Sequence, residues 1–172
     1  MKEDRKKVIQ LFKNPKPKQN VGIVKLQMFR EEKALYGTAP FHRPGEAAEM
    51  MAPLFQNADR EILAVLSLDI TMTPIAAEIV AVGGVTGCSV DTRDLFKHAI
   101  LSNATQILLF HNHPSGRLEP SRDDISVTVR IKEAGDILGI RLLDHIILGL
   151  DGTYVSFKES GFRPFEHREG AA

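Results

Sequence analysis

Apolar residues fall along the chain in short runs whose spacing switches between two and about three and a half, and those switches predict the elements. "VGIVKLQMF" (21–29) alternates as a strand does. "RPGEAAEMMAPLFQNA" (43–58) has Pro44 at a helix start and Ala48, Met51, Leu54 and Phe55 at helical spacing. "EILAVLSL" and "PIAAEIVAVGG" are β-rich runs separated by "DITMT", a hairpin-like pair. "DTRDLFKHAILSNA" predicts a helix that Asp91 can cap and that ends near Asn103, and "TQILLFHNH" predicts a strand. "SRDDISVTVRIKEAGDILG" predicts a long helix, with Val127, Ile131, Ala134 and Leu138 on one face and Gly139 as its stop. "RLLDHIILG" and "TYVSF" predict two final strands around the turn "LDGT". Strands outnumber helices and the two kinds interleave. The expected class is α/β, a mixed central sheet flanked by helices.

Composition changes this picture little. A chain of 172 residues with 43% apolar and 26% charged residues suits a soluble globular protein, most simply one domain with a tail. Cys88 is the only cysteine, which excludes a disulfide framework and a cysteine-based zinc site. No apolar run has the length of a membrane span, and the N-terminus lacks the apolar core of a signal peptide, so the expected location is cytoplasmic. Net charge is zero but uneven. Of 22 basic and 22 acidic residues, seven basic and two acidic ones (Glu3 and Asp4) fall in residues 1–20, leaving the rest acidic by five. That acidic body is a poor binder of nucleic acid, whose affinity is dominated by phosphate contacts. Residues 1–20 are expected to be a poorly ordered basic tail, and 21–44 a leading strand and connecting segment.

The chemistry concentrates in "LLFHNHPSGRLEPSRDD" (108–124). His111 and His113 are two apart at the end of an apolar strand, so both rings leave one side of the chain. Pro114 keeps His113 extended and stops the strand. Two such imidazoles can chelate one ion, although His-x-His is a common accident. Ser121 and Asp124 follow at the start of the long helix, Ser121 at the N-cap and Asp124 at N3. A capping box accounts for Ser-x-x-Asp by itself. It does not account for a helix start one short Pro/Gly loop after a His-x-His strand. That turn can return Asp124 to the histidines as a third ligand, leaving a tetrahedral Zn²⁺ one open place for water. Glu78, in a strand run with Ala76, Val80 and Val82 on its face, is the expected base, although an edge position reaching water would explain it as well.

Glu78, then His111-x-His113, seven residues, Ser121, two residues and Asp124 resembles the JAMM signature of MPN-domain metalloproteases. The text "HNHPSG", "PSRDD", "AGDILGIRLLDHIILG" and "YVSF" resembles the bacterial RadC branch, over a domain spanning 45–165. The resemblance implies a cytidine-deaminase-like αβα sandwich with bound Zn²⁺. His111, His113 and Asp124 would be its ligands, Glu78 the general base, and the Ser121 hydroxyl a donor to the tetrahedral oxyanion. Zinc-bound water would attack an amide carbonyl of a peptide or protein substrate. Asn112 stands between the histidines where deubiquitinating members have Ser or Thr, as in RadC-type chains. The roughly 45 residues ahead of the resemblance are expected to be too few and too irregular for the helix-hairpin-helix DNA-binding module of longer RadC proteins.

Other residues near these motifs have plainer readings. His145 in "LDHIIL" reads as a hydrogen-bonded core or strand histidine, Asp123 as solvent-facing, His98 as helix-surface, and Cys88 as a small buried residue. Asn112 either orients a ligand through its amide or serves the turn. The glycine-rich "GGVTG" lacks the Lys-Ser/Thr of a phosphate loop. A His/Asn nuclease is disfavoured by the strand-loop-helix order and the acidic body. A nucleobase deaminase is disfavoured by the missing His-x-Glu and Pro-Cys-x-x-Cys pieces. Relatives lacking the ligands act as scaffolds, whereas this chain keeps all five positions. A zinc-dependent amide hydrolase is the favoured expectation, with a RadC-type accessory role in DNA repair or recombination as the alternative.

Overall fold

The structure is a computed structural model and describes residues 39–83 and 90–166. The expected basic tail, the strand at 21–29, Cys88 and His167 lie outside the described residues. Helix α1 (Pro44–Met51), with Pro44 in its first turn, runs into a 3₁₀ turn (Ala52–Phe55). Then come β1 (Ile62–Leu68), β2 (Pro74–Val82), α2 (Thr92–Leu101), β3 (Gln106–Asn112), α3 (Arg122–Leu138), β4 (Arg141–Leu148) and β5 (Tyr154–Ser156). Asp91 caps α2 by accepting from the Arg93 N–H, and Gly139 ends α3 in the left-handed region at φ 72°.

The strands form one sheet in the order β2-β1-β3-β4-β5, antiparallel except for the β3–β4 pair. That parallel pair requires a crossover, and α3 supplies it. The expected mixed α/β sheet flanked by helices is therefore what forms. One sheet face packs Ala64, Leu66, Leu68, Leu108 and Phe110 against Ala47, Ala48 and Met51 of α1. The other packs Leu63, Val65, Ile107 and Leu109 against Leu95, Phe96 and Ala99 of α2 and Ile131 of α3. Strand β3 is buried along its whole length, since it is covered on both faces and paired on both edges. No helix among the described residues is long and apolar enough to cross a membrane.

The packed face of α3 differs from the apolar stripe the sequence predicts. Its buried residues are Asp124, Thr128, Ile131 and Gly135, with Val127 and Ala134 at the margin and Leu138 47% exposed. Two polar residues and a glycine occupy the inner line, which rotates the buried stripe away from Leu138. Gly135 is there because the chain passes close: a Cβ would stand 2.4 Å from the Ile140 carbonyl oxygen. The Gly135 carbonyl also accepts the Ile140 N–H at 2.9 Å, so α3 and the start of β4 are locked together. Replacing Gly135 with alanine should destabilise the domain by about 1–3 kcal/mol or more, the cost of overpacking against unyielding backbone. Denaturant unfolding checks this, with no change expected for Gly152→Ala beyond its turn strain.

Candidate metal centre

The site lies where β3 ends and α3 begins. His111 pairs with Leu63 on β1, so its ring leaves on the face covered by α2 and α3, and His113 follows two residues later on the same side. The chain turns through Pro114 and Gly116 and re-enters at Ser121, the N-cap of α3. There the capping box is complete: Ser121 Oγ accepts from the Asp124 N–H at 3.1 Å, and Asp124 Oδ2 accepts from the Ser121 N–H at 2.7 Å. The cap and the metal reading do not compete. The same carboxylate that closes the box stands 3.4 Å from His111 Nε2 through Oδ1 and 3.3 Å from His113 Nε2 through Oδ2.

The two Nε2 atoms are 2.9 Å apart, and their protonation follows from their neighbours. Thr128 Oγ1 donates its one proton to the Asp124 carbonyl, so it must accept from His145 Nδ1, 2.6 Å away. His145 is completely buried, and desolvation pushes its pKa well below the ordinary value, keeping it neutral. With its proton on Nδ1, its Nε2 is an acceptor and takes the proton of His111 Nδ1 at 2.8 Å. A neutral His111 then has a bare Nε2. His113 Nδ1 lies 2.7 Å from the Arg117 carbonyl and must donate to it, which leaves its Nε2 bare as well. Two imidazole lone pairs and a carboxylate thus share one small space, an arrangement that calls for a cation.

A divalent ion fits the space. Ligand atoms about 2.0–2.1 Å from a tetrahedral centre stand about 3.3 Å from one another, and the separations here are 2.9, 3.3 and 3.4 Å. His111, His113 and Asp124 form the metal-capable group among the described residues. Electrostatics agree with this. A proton taken up in this space stands in for the ion: burial pushes the Asp124 carboxyl up, but hydrogen bonds from protonated His111 and His113, the His111 charge this brings and the Ser121 contact hold it far below the usual carboxylate range. His113 is raised above the ordinary histidine value, first by its hydrogen bond to Asp124. Burial opposes the rise, while the Arg117 carbonyl and the charges of Asp124 and Glu61 add to it.

The structure brings four of the five residues of the sequence signature together and does not place Glu78 with them. Glu78 pairs with Val65, which pairs with Leu109, so it stands two strands and two residues from His111. At strand and residue spacings of about 4.8 and 3.3 Å, that is roughly 12 Å between Cα atoms. Its carboxylate is half-exposed and lies 3.9 Å from His98 Nδ1. His98 is not the helix-surface residue expected, because its side chain is only 10% exposed and meets the buried Ser67 hydroxyl at 3.2 Å. The carboxylate whose charge reaches His113 from β1 is instead that of Glu61, which sequence reasoning missed. Continuing the β1–β3 register one step past Ile62 and Asn112 sets Glu61 against His113. Its signal was the alternation of "EILAVLSL", which puts Glu61 in line with Leu63 and Val65, but only strand order reveals what that line faces.

His145 also goes beyond its plain reading: it is a core histidine, and it holds His111, one of the three residues that could bind a metal. Asp144, likewise buried, binds the Ser156 hydroxyl and the His145 and Lys158 N–H groups, tying β4 to β5 and the following turn. Asp123 is exposed, as expected.

Comparison with known proteins agrees with this geometry. Residues 41–162 match the family model of the RadC-like JAB domain. The chain belongs to that family. Among its relatives is a UPF0758 protein of Methanosarcina acetivorans, 40% identical over 119 residues, which are 69% of this chain and 52% of the relative. A UPF0758 protein of Caldanaerobacter subterraneus is 41% identical over 123 residues, 72% of this chain and 52% of the relative. One of Clostridium botulinum is 37% identical over 152 residues, 88% and 66% respectively. The RadC-like chain spans about half the length of the first two.

Two outcomes follow. Thr128→Val removes the acceptor that fixes His145 and, through it, His111. Zinc affinity of this RadC-like chain should fall about 10–100-fold, the usual effect of losing an outer partner, as read by competition with a chromophoric chelator. Because zinc needs a bare His113, affinity should rise with pH up to the raised His113 value and level off above it. The metal-free protein should show the opposite trend. Stabilisation by charged His113 is full below the ordinary histidine value and is lost as pH climbs through the raised one, which thermal unfolding at stepped pH would record.

Proposed function

We propose that this RadC-like chain is a zinc-dependent hydrolase that cleaves an amide bond, peptide or isopeptide, with Glu61 as its acid/base. The observation that carries the reading is the facing pair of bare imidazole nitrogens, 2.9 Å apart beside an ionised carboxylate. Nitrogen and oxygen donors in a three-ligand set suit Zn²⁺ and leave a fourth place, as catalytic rather than structural sites do. His111 is 1% exposed and His113 15% exposed, so the group is closed from within and approached from the His113 side.

A divalent ion held there supplies Lewis acidity toward a carbonyl oxygen and lowers the cost of deprotonating water at neutral pH. The chain's own residues supply the rest. Glu61, beside His113, takes the proton from the attacking water and returns it to the departing nitrogen. Ser121 is an exposed residue and its Oγ accepts from the Asp124 N–H, so its own proton is available to a developing oxyanion. The start of α3 adds its positive end to the same place. The finer fold reading, a cytidine-deaminase-like αβα sandwich, draws support from helices on both sheet faces. A second reading, an accessory role in DNA repair or recombination without proteolysis, draws on the basic residues 1–20.

The test is cleavage of a quenched-fluorescence peptide library by the zinc-loaded chain. His113→Ala should lose zinc and activity. Glu61→Gln should keep zinc and lose activity by about 10²-fold or more, while Glu78→Gln keeps both. Equal activity of the Glu61→Gln variant and the parent contradicts the base assignment. Absence of any cleavage together with salt-sensitive DNA binding would favour the accessory role.

A further inference from the structure

Asn112 sits between two ligand histidines and belongs to neither, since alternation sends its side chain to the opposite face of β3. It is 3% exposed, so its amide must be satisfied inside the protein. Both halves are. Oδ1 accepts from the Ile62 N–H at 2.8 Å, and Nδ2 donates to the Arg60 carbonyl at 3.0 Å. These partners flank Glu61. We propose that Asn112 is a positioning residue that holds the Glu61 carboxylate beside the metal group by clamping the peptide groups on either side of it. This inference rests on the hydrolase reading for what Glu61 does, but not for where Glu61 is.

A side-chain amide has one donor end and one acceptor end, as a backbone peptide does. Asn112 therefore presents to the Arg60 carbonyl and the Ile62 N–H what a neighbouring strand would, just before β1 begins. From the other edge, the Gly83 N–H donates to the Glu61 carbonyl at 2.7 Å. Three hydrogen bonds from two sides thus fix the backbone around Glu61. Ile62 packs toward α1, so the alternation of β1 continued by one residue sends Glu61 to the opposite face, where His111 and His113 lie and where its charge raises His113. No other side chain of this length does the same. Serine or threonine offers one hydroxyl for two partners, and aspartate can accept from Ile62 but cannot donate to Arg60. The amide orientation is likewise set, because the reverse would put oxygen against a carbonyl.

The experiment uses the full chain, Zn²⁺ as probe, and side-chain carboxyl ¹³C resonances of glutamate-labelled protein, with the Glu61 signal assigned by its absence in Glu61→Gln. In the parent, loading Zn²⁺ should shift the Glu61 signal. In Asn112→Ala the shift should fall to less than half while zinc affinity stays within about threefold, since His111, His113 and Asp124 keep their partners. Asn112→Asp, which retains the Ile62 bond and the side-chain shape, should fall between. Hydrolysis should drop about 10–100-fold in Asn112→Ala and no further when Asn112→Ala is added to Glu61→Gln. Asn112→Ala and Asn112→Asp giving the full parental shift would overturn the proposal. So would a loss of zinc affinity matching that of Thr128→Val, or an additive loss of activity in the double variant. A zinc response that depends on Asn112 in a chain without hydrolysis would sustain the clamp and remove the hydrolase reading.

Discussion

The structure is organised around a local excess of electron pairs. His111 and His113 direct unprotonated nitrogens at one point, and Asp124 adds a carboxylate held in its ionised form. Left alone, such a group repels itself, and its relief is a proton or a metal ion. That demand for positive charge is set by neighbours that place the protons. The Arg117 carbonyl takes the proton of His113 Nδ1, and the chain from His111 through His145 and Thr128 to the Asp124 carbonyl decides where every other proton sits. That chain starts at one ligand and ends on the backbone of another, so β3 and α3 are tied together by the same bonds that set the site's protonation.

The fold provides this by placing a strand end against a helix start. Strand β3, buried on both faces and paired on both edges, gives the histidines a rigid base. The crossover through α3 returns Ser121 and Asp124 within a short loop. There the cap that any helix needs becomes the device that aims a ligand. One carboxylate satisfies the first turn and faces two imidazoles, so removing it costs the helix a cap and the site an anion. Glu61 and Asn112 extend this economy to β1, whose first residues are held by a side chain from between the ligands.

Much of this was legible in the chain. The His-x-His pair at an apolar strand end, followed by Ser-x-x-Asp at a helix start, announced both the elements and the chemistry, because local periodicity and capping are short-range rules. The described helices and strands arose where apolar spacing put them. What failed were inferences that need strand order. Glu78 stood out as a carboxylate in an apolar run, yet the run is β2, the outermost strand among the described residues, where a half-exposed glutamate is ordinary. Glu61 looked like a strand's first polar residue, and only the β1–β3 pairing sets it beside His113. The buried face of α3 was misread for a related reason. Its inner line carries Asp124 and Thr128 for the site and Gly135 for close approach, so the apolar pattern pointed one position aside, toward Leu138. Function displaced the hydrophobic pattern where the helix meets the ligands.

The most direct test of the central claim is X-ray absorption at the zinc edge on protein loaded with one equivalent of Zn²⁺. The account predicts a four-coordinate shell of nitrogen and oxygen at about 2.0–2.1 Å with the outer scattering of two imidazoles. Three imidazoles, which would make His145 a ligand, a sulfur neighbour from Cys88, or a six-oxygen hydrated ion would contradict it.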